Sequence, residues 1–224
     1  RHVLFRSVKI HLGAGEHPIT GFVNMDVRPL PGVIRGEAHR LAVEDGTVDL
    51  IFSNAMFEHL FFLQQVMAMK EWERVLAPDG VAVCCGIPNF EAVAKAYVEK
   101  APGIMRPTFD LLEVYRYTHG SPEVWQDNAS DWLTWSSADR PDQTPPGWLP
   151  QLHKAIFDAE SLVPFCEAAC GLQITVVRYP FPGETLPLNL GFVAGHSKPA
   201  AVQALEQVPV IGKYVDLERL EVIS

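Results

Sequence analysis

The sequence predicts an α/β fold built on an open, mostly parallel sheet of seven strands whose last strand is antiparallel. Short apolar runs, typical of strands buried on both faces, alternate with helical or loop segments along the chain. The last two runs, residues 174–179 and 190–196, are separated by a Pro-Phe-Pro-Gly-Glu loop that permits antiparallel pairing. Together these observations favour a sheet with helices on both faces.

Five further strands are predicted at residues 8–12, 22–25, 33–35, 48–53 and 81–85. Helices are predicted at residues 57–76, 91–100, 158–169 and 200–207. Apolar residues at close to helical spacing define the first of these helices, and Pro78-Asp79-Gly80 ends it. Asp158 is the expected cap of the helix that precedes the last two strands.

Residues 101–152 differ in character, because prolines and aromatic side chains are dense there. We expect a helical and loop insertion after the fifth strand, with helical turns at residues 110–117 and 123–135. Such an insertion is a lid or binding element, or a satellite helical layer with its own aromatic core, and the two can coexist. The remainder of residues 1–198 forms one domain, and residues 199–224 form a tail that straps the surface or contacts a partner.

Composition excludes several classes of function. A net charge of −9 and an acidic pI of about 5.3 argue against broad nucleic-acid binding, which needs a basic face. No apolar run reaches the roughly 18 residues of a membrane span, and the N-terminus lacks a secretory signal pattern. We therefore expect a cytoplasmic protein whose four cysteines are reduced, mostly buried thiols. The chain opens on Arg1, which leaves open whether it is cut from a longer protein.

The stretch at residues 8–26 has the pattern of a nucleotide site. A buried strand leads into Gly13-Ala14-Gly15, and the next strand ends on Asp26. The glycines let the backbone approach a ligand, and the acid can accept hydrogen bonds from ribose hydroxyls. Glu37, Asn54 and Pro88-Asn89 also follow strand ends, so we expect all of them at one rim of the sheet.

Five segments carry a family resemblance: IHLGAG, VNMD, GEAHRLAVEDGTVDLIFSNAMFEHL, EWERVLAPDGVAVCCGIPNF and HKAIFDAESLVPFCEAACGL. Together they resemble the class I S-adenosylmethionine-dependent methyltransferases, most closely small bacterial members of unassigned substrate. The likeness runs from about residue 8 to 89 and resumes from about 153 to 196. It implies a Rossmann-like sheet, S-adenosylmethionine as cofactor, and a small-molecule acceptor such as the hydroxyl or amine of a sugar or other metabolite.

The resemblance also implies roles for individual residues. The expected cofactor-binding residues are Gly13, Ala14, Gly15, Asp26, Val27, Glu37, Ala38 and Asn54. The glycine turn and Asn54 would lie near the methionine part of the cofactor, and Asp26 would take the ribose hydroxyls. Glu37, with the Ala38 backbone, would lie near the adenine.

Three features depart from the family pattern. His11 stands where many members carry an acid, and we expect it to be a core or supporting histidine. Two of the usual three glycines are present. The stretch from Leu12 to Phe22 is too short for a full crossover helix, so one helical turn at most fits there. This disfavours dinucleotide binding, which places a phosphate at a helix N-terminus.

A hydroxyl acceptor would need a general base. The candidates are His153, His119, Tyr117 and Asp131, and His153 is the first choice because it begins the segment that returns to the family pattern. We expect Glu58 and His59 to be structural, with a site-lining role as the second interpretation. No ligand cluster with metal-like spacing stands out, so we expect no metal site.

Two alternative functions stay open. A nicotinamide-dependent oxidoreductase predicts a G-x-G-x-x-G turn, a full first helix and a Tyr-x-x-x-Lys pair, none of which the sequence supplies cleanly. A catalytically inactive methyltransferase-like binding or scaffold module is the other, favoured by His11 and the reduced glycine motif. The oligomeric state is left open.

Overall fold

The computed structural model describes residues 8–104, 107–120 and 153–223. Its strands are β1 (Val8–Leu12), β2 (Val23–Asp26), β3 (Ile34–Arg35), β4 (Val48–Asn54), β5 (Leu76–Pro88), β6 (Gln173–Tyr179), β7 (Asn189–Gly195) and β8 (Glu221–Val222). Its α-helices are α1 (Phe62–Val75), α2 (Phe90–Val98), α3 (Leu111–His119), α4 (Ala159–Ala169) and α5 (Ala201–Glu206). Short 3-10 helices span Phe57–His59, Ile211–Lys213 and Leu217–Arg219. The predicted helix at residues 123–135 and the candidate base Asp131 lie outside the described residues.

All eight strands form one sheet in the order β3-β2-β1-β4-β5-β7-β6-β8. Strands β1 to β5 pair in parallel, and β7 lies antiparallel between β5 and β6. This confirms the predicted mostly parallel sheet with an antiparallel last strand, and the chain adds β8 as a short edge strand. Strand order reverses between β1 and β4, so their carboxyl ends border the crevice where such sheets bind ligands.

The predicted helix at residues 57–76 is interrupted. A 3-10 helix ends at His59, and Leu60 and Phe61 adopt extended backbone before α1 begins. The Gln65 side chain, which is buried, donates a hydrogen bond to the Phe57 carbonyl at 2.9 Å across the interruption. The apolar residues keep helical spacing across the interruption, so the sequence pattern predicted one continuous helix.

Residues 13–22 contain no helix, as their length predicted. The Asn24 side chain closes this connection instead. Its Oδ1 accepts from Ile19 N at 2.8 Å, and its Nδ2 donates to the carbonyls of Ile19 and Phe22. One amide thus satisfies backbone groups that a crossover helix would have paired internally.

Helices α1 and α4 cover one face of the sheet. Much of the other face is covered by the tail, whose side chains Leu205, Val208, Ile211 and Val215 pack with the strand residues Leu50, Phe52 and Val83. The tail is therefore part of the core. It covers a face of the sheet that a crossover helix between β1 and β2 would otherwise help to cover. Helices α2 and α3 form a separate small cluster around Phe109 and Tyr117. No helix among the described residues is long and apolar enough to cross a membrane.

Candidate cofactor site

A cavity of about 330 Å³ opens at the carboxyl ends of β1, β2 and β4. It is lined by Leu12, Gly13, Met25, Asp26, Val27, Arg28, Gly36, Ala38, Ala55, Met56, His59, Leu60, Phe61, Gln64 and Lys154. Its walls are mainly apolar, and the charged side chains among them are Asp26, Arg28 and Lys154. Cavities of this size and character are typical of small-molecule sites.

Asp26 ends β2 in the wall of this cavity, with 6% of its side chain exposed. Its Oδ1 accepts from the Arg28 backbone N–H at 2.9 Å and from Arg28 Nε at 3.1 Å. Its Oδ2 accepts from Gly15 N at 2.9 Å and from Arg28 Nη2 at 3.3 Å. Burial raises the pKa of Asp26, but the hydrogen bonds from Arg28 and Gly15 outweigh burial and hold the pKa below its usual range. The carboxylate is therefore held in its ionised form.

The glycine turn shapes the wall beside Asp26. Gly13 and Gly15 have φ of +67° and +53°, a conformation that L side chains rarely adopt. Gly13 lines the cavity, whereas Ala14 is buried and donates from its backbone N–H to the Met25 carbonyl. Gly15 acts on the site through its hydrogen bond to Asp26.

The structure separates Glu37 from Ala38. Ala38 lines the cavity, and its carbonyl accepts a hydrogen bond from the buried Trp72 Nε1 at 3.0 Å. Glu37 lies outside the lining residues, with 55% of its side chain exposed and its Oε2 at 3.4 Å from His39 Nε2. Val27, next to Asp26, lines the cavity and is half exposed.

Asn54 ends β4, but the residues after it form the wall. Ala55 and Met56 line the cavity, and Ala55 has a left-handed φ of 48°, which costs energy for a residue with a Cβ. The Asn54 Oδ1 is buried without a hydrogen-bond partner among the described residues. We did not predict Ala55 or Met56 as site residues, although their position directly after a strand end was a usable signal.

Glu58, His59 and His153 come together beside the cavity. The Oε1 of Glu58 lies 3.7 Å from His59 Nε2 and 3.9 Å from His153 Nε2. The two imidazole rings pack edge to face, with their centroids 4.8 Å apart. Glu58 is 1% exposed, and this burial raises its pKa to about 8. His59 itself lines the cavity, which agrees with the site-lining interpretation of this residue.

The other candidate bases have different surroundings. His153 is buried enough that its pKa lies below the usual value, and its Nδ1 lies 2.8 Å from the Tyr117 carbonyl. His119 is outside the cavity lining, and its Nδ1 is 2.7 Å from Thr118 Oγ1. The Tyr117 hydroxyl donates to buried Glu184 at 2.8 Å, and the Tyr117 ring packs in the small α2–α3 cluster.

His11 is a core histidine, as expected. It is buried in β1, its Nδ1 lies 3.1 Å from Asn24 Oδ1, and its ring stacks on Phe52 with centroids 5.2 Å apart. Burial lowers its pKa. His11 therefore contacts Asn24, the side chain that holds the connection at residues 13–22 in place. It is not among the residues that line the cavity.

Residues 21–84 match a family model described as a methyltransferase domain. Among solved structures, the chain is 14% identical to a SAM-dependent methyltransferase from Thermotoga maritima, described as a possible histamine N-methyltransferase, over 85% of this chain and 82% of that one, with a TM-score of 0.45. It is 14% identical to a SAM-dependent methyltransferase from Mesorhizobium loti (86% and 93% covered, TM-score 0.49) and 13% identical to one from Aquifex aeolicus (84% and 81%, TM-score 0.43). No curated protein matches the chain.

The solved structures are too distant to carry a substrate to this chain. The family match covers β2 to the middle of β5, the part of the sheet that forms most of the cavity. The sheet around it is parallel and reverses its strand order between β1 and β4. Residues 21–84 are thus similar to a methyltransferase domain and lie in a mostly parallel sheet whose strand order reverses at the cavity, with no substrate assigned.

Proposed function

We propose that the chain transfers the methyl group of S-adenosylmethionine to a hydroxyl or amine of a small molecule, such as a sugar. The observation that carries this proposal is the ionised Asp26 carboxylate in the wall of a mainly apolar cavity at the reversal of strand order. A carboxylate there can accept hydrogen bonds from the two ribose hydroxyls of an adenosine. The apolar walls suit the adenine ring and the methylene groups of such a ligand.

The residues around the cavity fit the cofactor. Asp26 would hold the ribose, and Val27 and Ala38 would flank the adenine. Gly13 would lie near the methionine part, together with Ala55, which takes the place expected for Asn54. Ala14 and Gly15 support the turn and the Asp26 carboxylate, whereas Glu37 would have to leave His39 to reach the adenine.

When bound, S-adenosylmethionine supplies a methyl group already activated on a sulfonium. The chain's own task is to align an acceptor with it, exclude water and take the acceptor's proton. In the proposal, His153 Nε2 is that base, because it lies at the cluster beside the cavity and carries no proton when Nδ1 donates to Tyr117. His119 is the second candidate, with its Nδ1 already at Thr118.

The alternatives receive less support from the structure. Residues 13–22 form no helix, so the nicotinamide-dependent oxidoreductase lacks the helix N-terminus that would hold its pyrophosphate. His11 belongs to the core, so it no longer favours an inactive scaffold.

The proposal includes a cytoplasmic location, in keeping with four free cysteines of which three are buried.

Calorimetric titration with S-adenosylmethionine tests the cofactor. We expect micromolar binding by the wild type, at least tenfold weaker binding by Asp26→Ala, and unchanged binding by Asp79→Ala, which removes an exposed acid remote from the cavity. Absence of binding by folded wild-type protein would refute the proposal. Turnover on a panel of sugars, aromatic metabolites and amines then distinguishes an enzyme from a binding module.

A further inference from the structure

The Glu58–His59–His153 cluster brings three side chains that can act as metal ligands close together. The Nε2 atoms of the two histidines lie 3.7 and 3.9 Å from the same carboxylate oxygen, and one ligand atom from each residue falls within 4.8 Å of the others. These separations exceed hydrogen-bond length. They are slightly wider than the about 3.3 Å between ligands of a tetrahedral ion with bonds of about 2.05 Å.

The tautomer of His153 follows from its backbone partner. The Tyr117 carbonyl can only accept, so His153 Nδ1, at 2.8 Å, carries the proton and donates it. In the neutral ring Nε2 is then an unprotonated nitrogen, and it is the atom nearest Glu58 Oε1. Metal-binding histidines characteristically donate their other N–H to a carbonyl or carboxylate, which fixes the orientation of the ring.

Glu58 gives a second, independent indication. Its side chain is 1% exposed, and its Oε2 has no hydrogen-bond partner among the described residues. A buried carboxylate oxygen without a partner is costly, whereas a cation would compensate it. Backbone hydrogen bonds hold the cluster together, since the Glu58 carbonyl accepts from Lys154 N at 2.7 Å and from Ala155 N at 3.2 Å.

We propose that Glu58 Oε1, His59 Nε2 and His153 Nε2 bind a divalent transition-metal ion of the Zn²⁺ or Co²⁺ type. Two imidazoles and one carboxylate are a ligand set that such ions prefer, and three protein ligands leave positions open for an exogenous ligand. Spacing along the sequence indicated no metal site, because His153 lies far along the chain from Glu58 and His59. The fold alone brings the three residues together.

The position of the cluster suggests what the ion does, and this part rests on the proposed function. His59 lines the cavity, so an ion bound to it lies at the cavity wall. A metal ion lowers the pKa of a hydroxyl that it binds, and it orients that oxygen. The acceptor would then be a hydroxyl compound rather than an amine. His153 Nε2, bound to the ion, could not also be the base named in the proposed function; the hydroxyl would instead lose its proton to a water molecule as it binds the ion, before the site closes to water.

The test is a titration of tag-free, chelator-treated protein with Co²⁺, followed by calorimetry and by visible absorption, which reports nitrogen and oxygen ligands on this ion. We expect one equivalent to bind to the wild type. Glu58→Gln and His153→Ala should bind at least tenfold more weakly and lose the absorption bands. His17→Ala, which removes an exposed histidine, should bind like the wild type.

Glu58→Gln keeps the volume of the buried side chain but replaces one carboxyl oxygen by an amide nitrogen and cannot become a carboxylate, so this variant should fold, as circular dichroism will verify. Wild-type protein without binding at millimolar Co²⁺, or a folded Glu58→Gln that binds as tightly as the wild type, would overturn the proposal. S-adenosylhomocysteine is titrated into the same samples. Its binding to the chelator-treated wild type supports the cofactor site whatever the Co²⁺ result, so the two proposals fail separately.

Discussion

Arg28 and Asp26 form a two-pronged ion pair in the cavity wall, with Nε on Oδ1 at 3.1 Å and Nη2 on Oδ2 at 3.3 Å. Each oxygen also accepts a backbone N–H, from Arg28 and from Gly15. In the proposed complex, the ribose hydroxyls would compete with this guanidinium for the two Asp26 oxygens. About a third of the Arg28 side chain is exposed, whereas Asp26 is 6% exposed, so a ligand that displaces the guanidinium has to replace its hydrogen bonds to Asp26.

Arg28→Ala is expected to bind S-adenosylmethionine as tightly as the wild type or more tightly, because the substitution removes a competitor for the Asp26 oxygens. Asp26→Ala should show the opposite change, as proposed above. Calorimetric titration of both variants measures this difference. Tenfold weaker binding by Arg28→Ala would mean that the guanidinium contacts the cofactor instead of competing with it.

Asp26 should also make stability depend on pH. Because its folded-state pKa is lowered, its ionised form stabilises the fold above the unfolded-state pKa, and this contribution is lost as pH falls through the folded-state pKa. The difference in unfolding free energy between the wild type and Asp26→Asn should be largest at about pH 5 and above, and shrink below about pH 4. Urea unfolding at pH 6, 5, 4 and 3.5 measures it; a constant difference would contradict the expectation.

Gly86→Ala should both destabilise the protein and disturb the cavity. Gly86 has a φ of +78°, and a Cβ there would lie 2.6 Å from the Ala55 backbone nitrogen. We expect a loss of about 2 kcal/mol or more in unfolding free energy, with weaker cofactor binding because Ala55 lines the cavity.

Gly21→Ala is the matched control for Gly86→Ala. The φ of Gly21 is +85°, but a Cβ there meets nothing within 4 Å. The variant should therefore lose only the unfolding free energy needed to hold an alanine at positive φ, about 1 kcal/mol. Equal losses in the two variants, measured by urea unfolding, would show that the contact with Ala55 is unimportant.

Trp72→Phe should loosen the Ala38 side of the cavity. The substitution removes the Nε1 donor of the Ala38 carbonyl and leaves a small void, which costs about 1–3 kcal/mol in unfolding free energy. Cofactor affinity should fall a few fold. Phe52→Leu, a core change on the opposite face, should lower stability without weakening binding; equal affinity losses in both variants would indicate a general effect of destabilisation.

Much of the sheet could be predicted because its signals are local. Apolar runs marked the strands within a few residues. Asp26 is the last residue of β2 and Gly13 directly follows β1, at the carboxyl ends where parallel sheets bind their ligands. The shortness of residues 13–22 also correctly excluded a crossover helix. The lining residues Ala55 and Met56 were missed because side-chain chemistry, rather than position, guided the choice.

The sequence by itself determined the sheet, its antiparallel last strand and the acid in the cavity wall, since each depends on residues close together in the chain. Tertiary structure decided that the tail covers the open face and that α1 is preceded by an interruption, because burial against distant strands overrides local periodicity. It also decided that His153 meets Glu58 and His59. That meeting depends on hydrogen bonds from Lys154 and Ala155 to the Glu58 carbonyl, between segments that no local pattern connects.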